Sequence, residues 1–324
     1  MSEVRWGLLG AGWIARRAIA PAMHSGDGVN LAVVAARDIE RARSLSPTLA
    51  AYDDYAAVID DPRVEAVYIA LSNDGHLPWT IAALEAGKAV LCEKPLGCTA
   101  AEARAMRDAA DRTGGLLVEA TWNLWHPRTR RAEALLRSDT IGKVQSISGA
   151  FLFDGVPANN YRLDPTRGGG ALLDVGCYPL TGAAWAAGGA FDGVDAAELF
   201  LADSGVDLTS DARLRIGGIP VHVRGSFREP DYQTLLLEGE HGQIEFTGND
   251  SYTSLLQPST LRVLCRDGER VEHFAPVDPY RLMVEQVSRA IRGELAWLPD
   301  PAWSMTVADA MDAILALQST AQSP

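Results

Sequence analysis

From Val4 to Glu119 the chain alternates short apolar runs with segments of helical period, and few folds accept that alternation. The runs are Val4–Leu9, Leu31–Ala36, Val64–Leu71, Ala89–Cys92 and Leu116–Glu119. They lack the in–out alternation of a half-exposed strand, so they read as strands buried on both faces. Trp13–His24, Ile39–Leu45, a short stretch from Tyr55, Leu77–Glu85 and Thr99–Arg112 read as the helices between them. Gly87 is a C-terminal stop for one helix, and Thr99 with Glu102 makes a capping box at the start of another. Such strand–helix repetition implies a parallel sheet with crossover helices.

The first strand leads into Gly10-Ala11-Gly12-Trp13-Ile14-Ala15. In a strand–turn–helix unit the first glycine makes the tight turn, the second lets backbone approach a pyrophosphate, and a small residue such as Ala15 keeps the helix close to the sheet. Gly10, Gly12, Trp13, Ile14 and Ala15 are therefore candidate cofactor-binding residues. The second strand ends on Ala36-Arg37-Asp38. An acidic residue at this tip would take a ribose 2′-hydroxyl, whereas a guanidinium suits a 2′-phosphate. Arg37 favours NADP(H), with NAD(H) as the alternative. Asp38 reads as a cap for the next helix.

Lys94 follows the Ala89–Cys92 strand within Glu93-Lys94-Pro95. Ligands of open α/β sheets bind at the carboxyl ends of the strands, so a lysine here is placed to act on a substrate. The proline restricts the backbone around it. A second dense tract, Gly168-Gly169-Gly170-Ala171-Leu172-Leu173-Asp174-Val175-Gly176-Cys177-Tyr178, combines glycines that permit close backbone approach with a helical segment. Asp174 and Tyr178 then share a helix face, where an acid and a phenol can grip a hydroxyl or carbonyl. The alternative is a capping aspartate and a packed tyrosine.

These segments resemble the Gfo/Idh/MocA oxidoreductases. The resemblance rests on Gly7–Ala15, on Leu84–Pro95 and on the glycine tract ending at Tyr178, and it runs collinearly along essentially the whole chain. It implies an N-terminal Rossmann dinucleotide-binding domain and a C-terminal α+β domain with a large open, mostly antiparallel sheet, through which members often form dimers or tetramers. Tyr178, where many members carry histidine, points to the glucose–fructose oxidoreductase, dihydrodiol dehydrogenase and sugar 3-ketoreductase branch. By the same resemblance Lys94, Asp174 and Tyr178 are the catalytic set. Ser72, Asn73, His76 and Glu93 fall at cofactor positions and Arg162 at a substrate position; Leu71, beside Ser72, is a further cofactor candidate and Trp122 a further substrate candidate. The implied reaction moves a hydride between nicotinamide and a sugar or cyclic polyol carbon. Tyr178 or Lys94 would handle the proton, the ammonium stabilising a phenolate, and Asp174 would bind a neighbouring hydroxyl. A dihydrodiol dehydrogenase, a non-catalytic NADP(H)-binding regulator and a cofactor-dependent glycosidase are the rival readings.

After residue 125 the pattern changes. A helix over His126–Arg137 is followed by alternating strands at Lys143–Phe153, Ala196–Ala202, Asp211–Ile216, Pro220–Phe227, Tyr232–Glu238, Gln243–Phe246 and Leu261–Cys265, then by helices over Pro279–Ile291 and Met305–Gln318. This places a domain boundary at 121/122, with room for the terminal helices to pack back on the first domain. His126 reads as a helix start, Arg128–Arg131 as a solvated face, and Trp122, Trp125 and Trp185 as core or as an apolar substrate wall. His76 is either a site residue or a hydrogen-bonded structural one.

A formal net charge of −13 argues against a nucleic-acid surface. No histidine or cysteine has a partner at metal-ligand spacing, so no metal is expected. The four cysteines read as reduced thiols. With no run of about 20 apolar residues and no signal-peptide pattern, a cytoplasmic location is expected.

Overall fold

The computed structural model describes residues 3–45 and 50–321, and the chain divides into two compact units. The first comprises the chain up to Gly97, Ala101–Trp122 and Asp278–Pro301. Its six-stranded sheet has the order β3-β2-β1-β4-β5-β6. The strands are β1 (Val4–Leu9), β2 (Val29–Ala35), β3 (Ala50–Tyr52), β4 (Ala66–Ile69), β5 (Ala89–Cys92) and β6 (Leu117–Glu119), all paired in parallel. Trp6, Leu8, Leu9, Val33, Val67, Tyr68, Val90 and Leu91 are all buried, which explains the unbroken apolar runs. With β2 on one side of β1 and β4 on the other, the strand order reverses at β1. That is the switch point where an open α/β sheet leaves a crevice for ligand.

Part of the C-terminal chain belongs to the first unit. Helix α8 (Pro279–Ile291) belongs to the first unit, where the Trp6 indole Nε1 donates to Ser288 Oγ at 2.9 Å and Arg292 Nη1 donates to the Gly28 carbonyl at 3.0 Å. Trp122 also belongs there. The second unit is therefore interrupted and does not run unbroken from residue 122 to the end.

The second unit carries an eight-stranded sheet in the order β14-β13-β12-β11-β7-β10-β9-β8. In chain order these are Val144–Asp154, Phe191–Leu201, Asp207–Ile216, Ile219–Ser226, Arg228–Gly239, Gly242–Thr247, Ser259–Cys265 and Gly268–Phe274. Every pairing is antiparallel except β7 with β10. Helix α7 (Cys177–Ala187) packs on β7 and β10. Helix α6 (Pro127–Arg137) lies on β13, and α9 spans Pro301–Ala321.

The expectation of a solvated Arg128–Arg131 face is wrong for its first half. Arg128 is 2% exposed. Its guanidinium donates to the carbonyls of Asp250, Ser251 and Thr260 and lies 5.3 Å from the centre of the Phe246 ring. A charge is tolerated in the interior when such acceptors replace its water. Arg131 does face outward, paired with Glu272 at 2.7 Å.

Candidate active site

The glycine loop crosses from β1 into a π-turn (Ala15–Ile19) that continues as α1 (Ala20–Ser25). Gly10 has φ +104°, and a Cβ on it would lie 2.3 Å from the Ala70 carbonyl oxygen. No side chain fits there. A Cβ on Gly12 would meet nothing within 4 Å, so the space over its backbone is open to a ligand. Ala15 is buried, Ile14 half-buried and Trp13 exposed. Arg37 is exposed just beyond β2. Asp38 accepts from the Glu40 amide at 3.0 Å and caps α2 (Ile39–Arg43). Sequence reading passed over Arg41, whose Nη2 donates to the Ala11 carbonyl at 2.9 Å. Its position one helical turn after Arg37 was the available signal. An open cradle at Gly12, with guanidinium groups at the β2 tip, fits a dinucleotide.

Lys94 stands on a turn held from beneath. Of Glu93–Gly97 it is the one residue not buried. Its bond to Pro95 is cis. Glu93 accepts from the Tyr68 hydroxyl at 2.8 Å and from the Lys94 amide at 3.3 Å. Placed as a cofactor-lining residue, His76 is instead sealed in, 0% exposed, at the head of α4 (His76–Glu85). Its Nδ1 lies 2.9 Å from the Pro95 carbonyl oxygen and its Nε2 3.3 Å from that of Leu71. Burial holds its proton affinity below the ordinary imidazole value, with the nearby Lys94 charge adding to the effect. Leu71 and Ser72 are half-buried and Asn73 buried, with Ser72 Oγ donating to Asp74 Oδ1. Trp122, expected at a substrate position, is 4% exposed and stacks on Tyr280 at 4.6 Å. Trp125 and Trp185 are likewise buried.

In the second unit a π-turn (Leu172–Gly176) runs into α7 and carries Asp174 and Tyr178, each 7% exposed. Such π-turns are rare and recur at functional sites. Arg162 Nε donates to Asp174 Oδ2 at 2.6 Å. Burial works against the Arg162 charge, and the Asp174 carboxylate outweighs it, so the guanidinium is held firmly protonated. The Tyr178 ring packs on Phe151 at 5.3 Å and Tyr252 at 5.8 Å, within electrostatic reach of Arg162.

The glycine tract approaches the protein's own chain. A Cβ on Gly169 would lie 2.6 Å from the Arg162 carbonyl oxygen, and one on Gly170, at φ +119°, 2.2 Å from Asp207 Oδ1. The Gly170 amide donates to that Arg162 carbonyl at 2.9 Å. The tract thus holds the Arg162 backbone beside the turn bearing Asp174. Among the described residues no cluster of three or more histidine, cysteine or acidic side chains could hold a metal ion.

Comparison with known proteins identifies relatives along nearly the whole chain. The model of an oxidoreductase family with an NAD-binding Rossmann fold (GFO_IDH_MocA) matches residues 4–121, and that of the GFO/IDH/MocA C-terminal domain matches residues 129–245. D-xylose 1-dehydrogenase (NADP(+)) 2 of Haloferax volcanii is 34% identical over 95% of this chain and 95% of its own length. Trans-1,2-dihydrobenzene-1,2-diol dehydrogenase of Mus musculus is 37% identical over 54% of each chain. Among solved structures, KijD10, a 3-ketoreductase from Actinomadura kijaniata with NADP and TDP-benzene, matches with a TM-score of 0.86 and 25% identity over 97% of each chain. With both domain models matched and a relative aligned along nearly its whole length, the chain belongs to the Gfo/Idh/MocA oxidoreductase family.

Proposed function

We propose that the protein is an NADP(H)-dependent dehydrogenase or reductase acting on a carbinol or carbonyl carbon of a sugar, sugar derivative or related cyclic polyol. One observation carries this reading: a lysine, Lys94, is the one half-buried residue of an otherwise buried turn at the carboxyl end of β5, in the same sheet as the open glycine cradle. The nicotinamide cofactor, when bound, supplies or accepts the hydride. The cradle at Gly10 and Gly12 receives the pyrophosphate and Arg37 the 2′-phosphate. Lys94 Nζ orients the substrate oxygen, and the proton passes through Tyr178 Oη or Lys94 Nζ. Asp174, steadied by Arg162, accepts from a neighbouring substrate hydroxyl. The NADP named for the xylose dehydrogenase and for KijD10 supports the cofactor assignment.

A second reading, oxidation of a dihydrodiol, is favoured by the aromatic ring cluster of Phe151, Tyr178 and Tyr252 and by the mouse relative. Absorbance at 340 nm with NADP(+) and D-xylose, D-glucose or trans-1,2-dihydrobenzene-1,2-diol separates the two. On whichever substrate turns over, Lys94→Ala and Tyr178→Phe should each lower kcat by about 100-fold or more, with smaller changes in KM. Near wild-type kcat in both variants would remove the assignment.

We further propose that the enzyme self-associates as a dimer or tetramer through the eight-stranded sheet. Arg213 and Arg215 on β9 are exposed there, and sedimentation velocity reads the state directly. The four cysteines are thiols, which suits a reducing, cytoplasmic compartment, and no described helix is long and apolar enough to cross a membrane.

A further inference from the structure

Lys94 leaves β5 on the turn Glu93–Gly97. Two backbone groups that follow it, the Pro95 carbonyl and the Leu96 amide, are each held by a side chain from a different element. His76 on α4 reaches the Pro95 oxygen at 2.9 Å, and Glu119 at the end of β6 accepts from the Leu96 amide at 2.8 Å. Glu119 is 8% exposed and lies opposite Cys92 in the β5–β6 register, with the Ala120 amide bonded to the Cys92 carbonyl at 2.7 Å. A carboxyl oxygen held at 2.8 Å, with little solvent to compete, makes a directed bond to the turn.

We propose that Glu119 is a positioning residue for Lys94: through the Leu96 amide it fixes the turn that sets where the Lys94 ammonium stands. The catalytic meaning of this role rests on the function proposed above, whereas the positioning itself does not.

The composition offers a clean test. The chain contains three lysines, Lys88, Lys94 and Lys143. Reductive methylation of the whole protein with 13C-formaldehyde gives each lysine its own NMR signal, and Lys94→Arg identifies the one for Lys94. Two variants of equal length separate bond from charge: Glu119→Met removes the acceptor, and Glu119→Gln keeps it while removing the charge.

The expected result is a shift of about half a pH unit or more in the Lys94 titration midpoint in Glu119→Met. Glu119→Gln, which keeps the acceptor, should shift it clearly less. Lys88, whose amine donates to the Asp61 and Val64 carbonyls, should not move in either variant. An unmoved Lys94 in folded Glu119→Met overturns the proposal. So do equal shifts in both variants, which would assign the effect to charge alone. Where Glu119→Met does not fold, Glu119→Asp, one methylene too short to reach the Leu96 amide from the same backbone, takes its place: a shifted Lys94 midpoint supports the role and an unmoved one overturns it.

Turnover reads the catalytic meaning separately. Glu119→Met should lower kcat about tenfold by misplacing the amine, and that loss should vanish in the Lys94→Ala background. Equal losses in both backgrounds would deny any action through Lys94. A Lys94→Ala enzyme with full activity would sink the catalytic assignment and leave the NMR result standing.

Discussion

Asp174 sits in a nearly closed environment with Arg162 beside it, 2.6 Å away. Removing one partner of such a pair leaves a carboxylate with its desolvation cost and less to offset it. Arg162 is itself about a third exposed, with 32% side-chain exposure, so solvent softens the loss. Arg162→Ala is therefore expected to cost about 2 kcal/mol, a melting-temperature drop of about 4–8 °C by differential scanning fluorimetry. Asp174→Asn, whose amide oxygen still accepts, should cost less. An Arg162→Ala protein melting within a degree of wild type would show that the pair contributes nothing to the fold. Lys94, Asp174 and Tyr178 stand out in the sequence as candidates because each sits in a short, dense motif. Their partners do not. Arg162 and Asp174 are twelve positions apart, and Arg128 finds its carbonyls more than a hundred residues away. Only tertiary structure distinguishes Arg128, buried under such acceptors, from Arg131, which reads identically along the helix. The same blindness applies to His76, whose two carbonyl contacts turn an apparent site histidine into a support for the Lys94 turn.

Helix and turn starts in the second unit rest on buried titratable groups of opposite sense. Asp207, at the start of β9, accepts from the Leu172 amide at 2.7 Å, and burial lifts its carboxyl from 3.8 to about 6. His126 caps α6 through Nδ1, which accepts from the Arg128 amide at 3.0 Å. Burial, reinforced by the Arg128 charge, pushes it from 6.5 down to about 4. A raised carboxyl binds its proton more tightly in the folded state, so its contribution is greatest below about pH 4 and declines as pH rises to about 6. A depressed imidazole works the other way: its contribution is complete above about pH 6.5 and is lost as pH falls to about 4. Each is worth about 3 kcal/mol over its window, and the two windows overlap. In wild type the slopes oppose one another. Asp207→Asn should make the melting temperature climb more steeply between pH 4 and 6.5, and His126→Asn should tilt it the other way, both substitutes retaining an acceptor for the capping bond. Calorimetric pH profiles that superimpose on wild type would show that neither group is perturbed. Element by element, strands with one buried face were visible in the sequence, and β14 was not. Most of Gly268–Phe274 is exposed, so it carries no apolar alternation to detect. The three-residue strand Ala50–Tyr52 is too short to show any period.

At the scale of the whole chain, the first unit is not contiguous, and its stability should reveal this. On α8 the buried Tyr280, Met283, Val284, Val287 and Ser288 fall at helical spacing and form one stripe. The helix packs on α1, β2 and the π-turn that follows the glycine loop, and its Ser288 holds the indole of fully buried Trp6 on β1. Periodicity announces such a helix but not which of two cores its stripe will cover. Burial of each large apolar side chain contributes about 1.5–3 kcal/mol. Several together therefore rival the about 5–15 kcal/mol net stability of a typical domain. Residues 1–122 expressed alone should consequently lack a cooperative transition in near-ultraviolet circular dichroism and should bind NADPH weakly, because the turn behind Gly12 has lost its backing. Joining residues 278–301 to that fragment through a flexible linker should restore both the transition and the affinity. A fragment ending at 122 that melts cooperatively and takes up NADPH like the intact enzyme would show that the first sheet and its glycine loop need nothing from the distant helix.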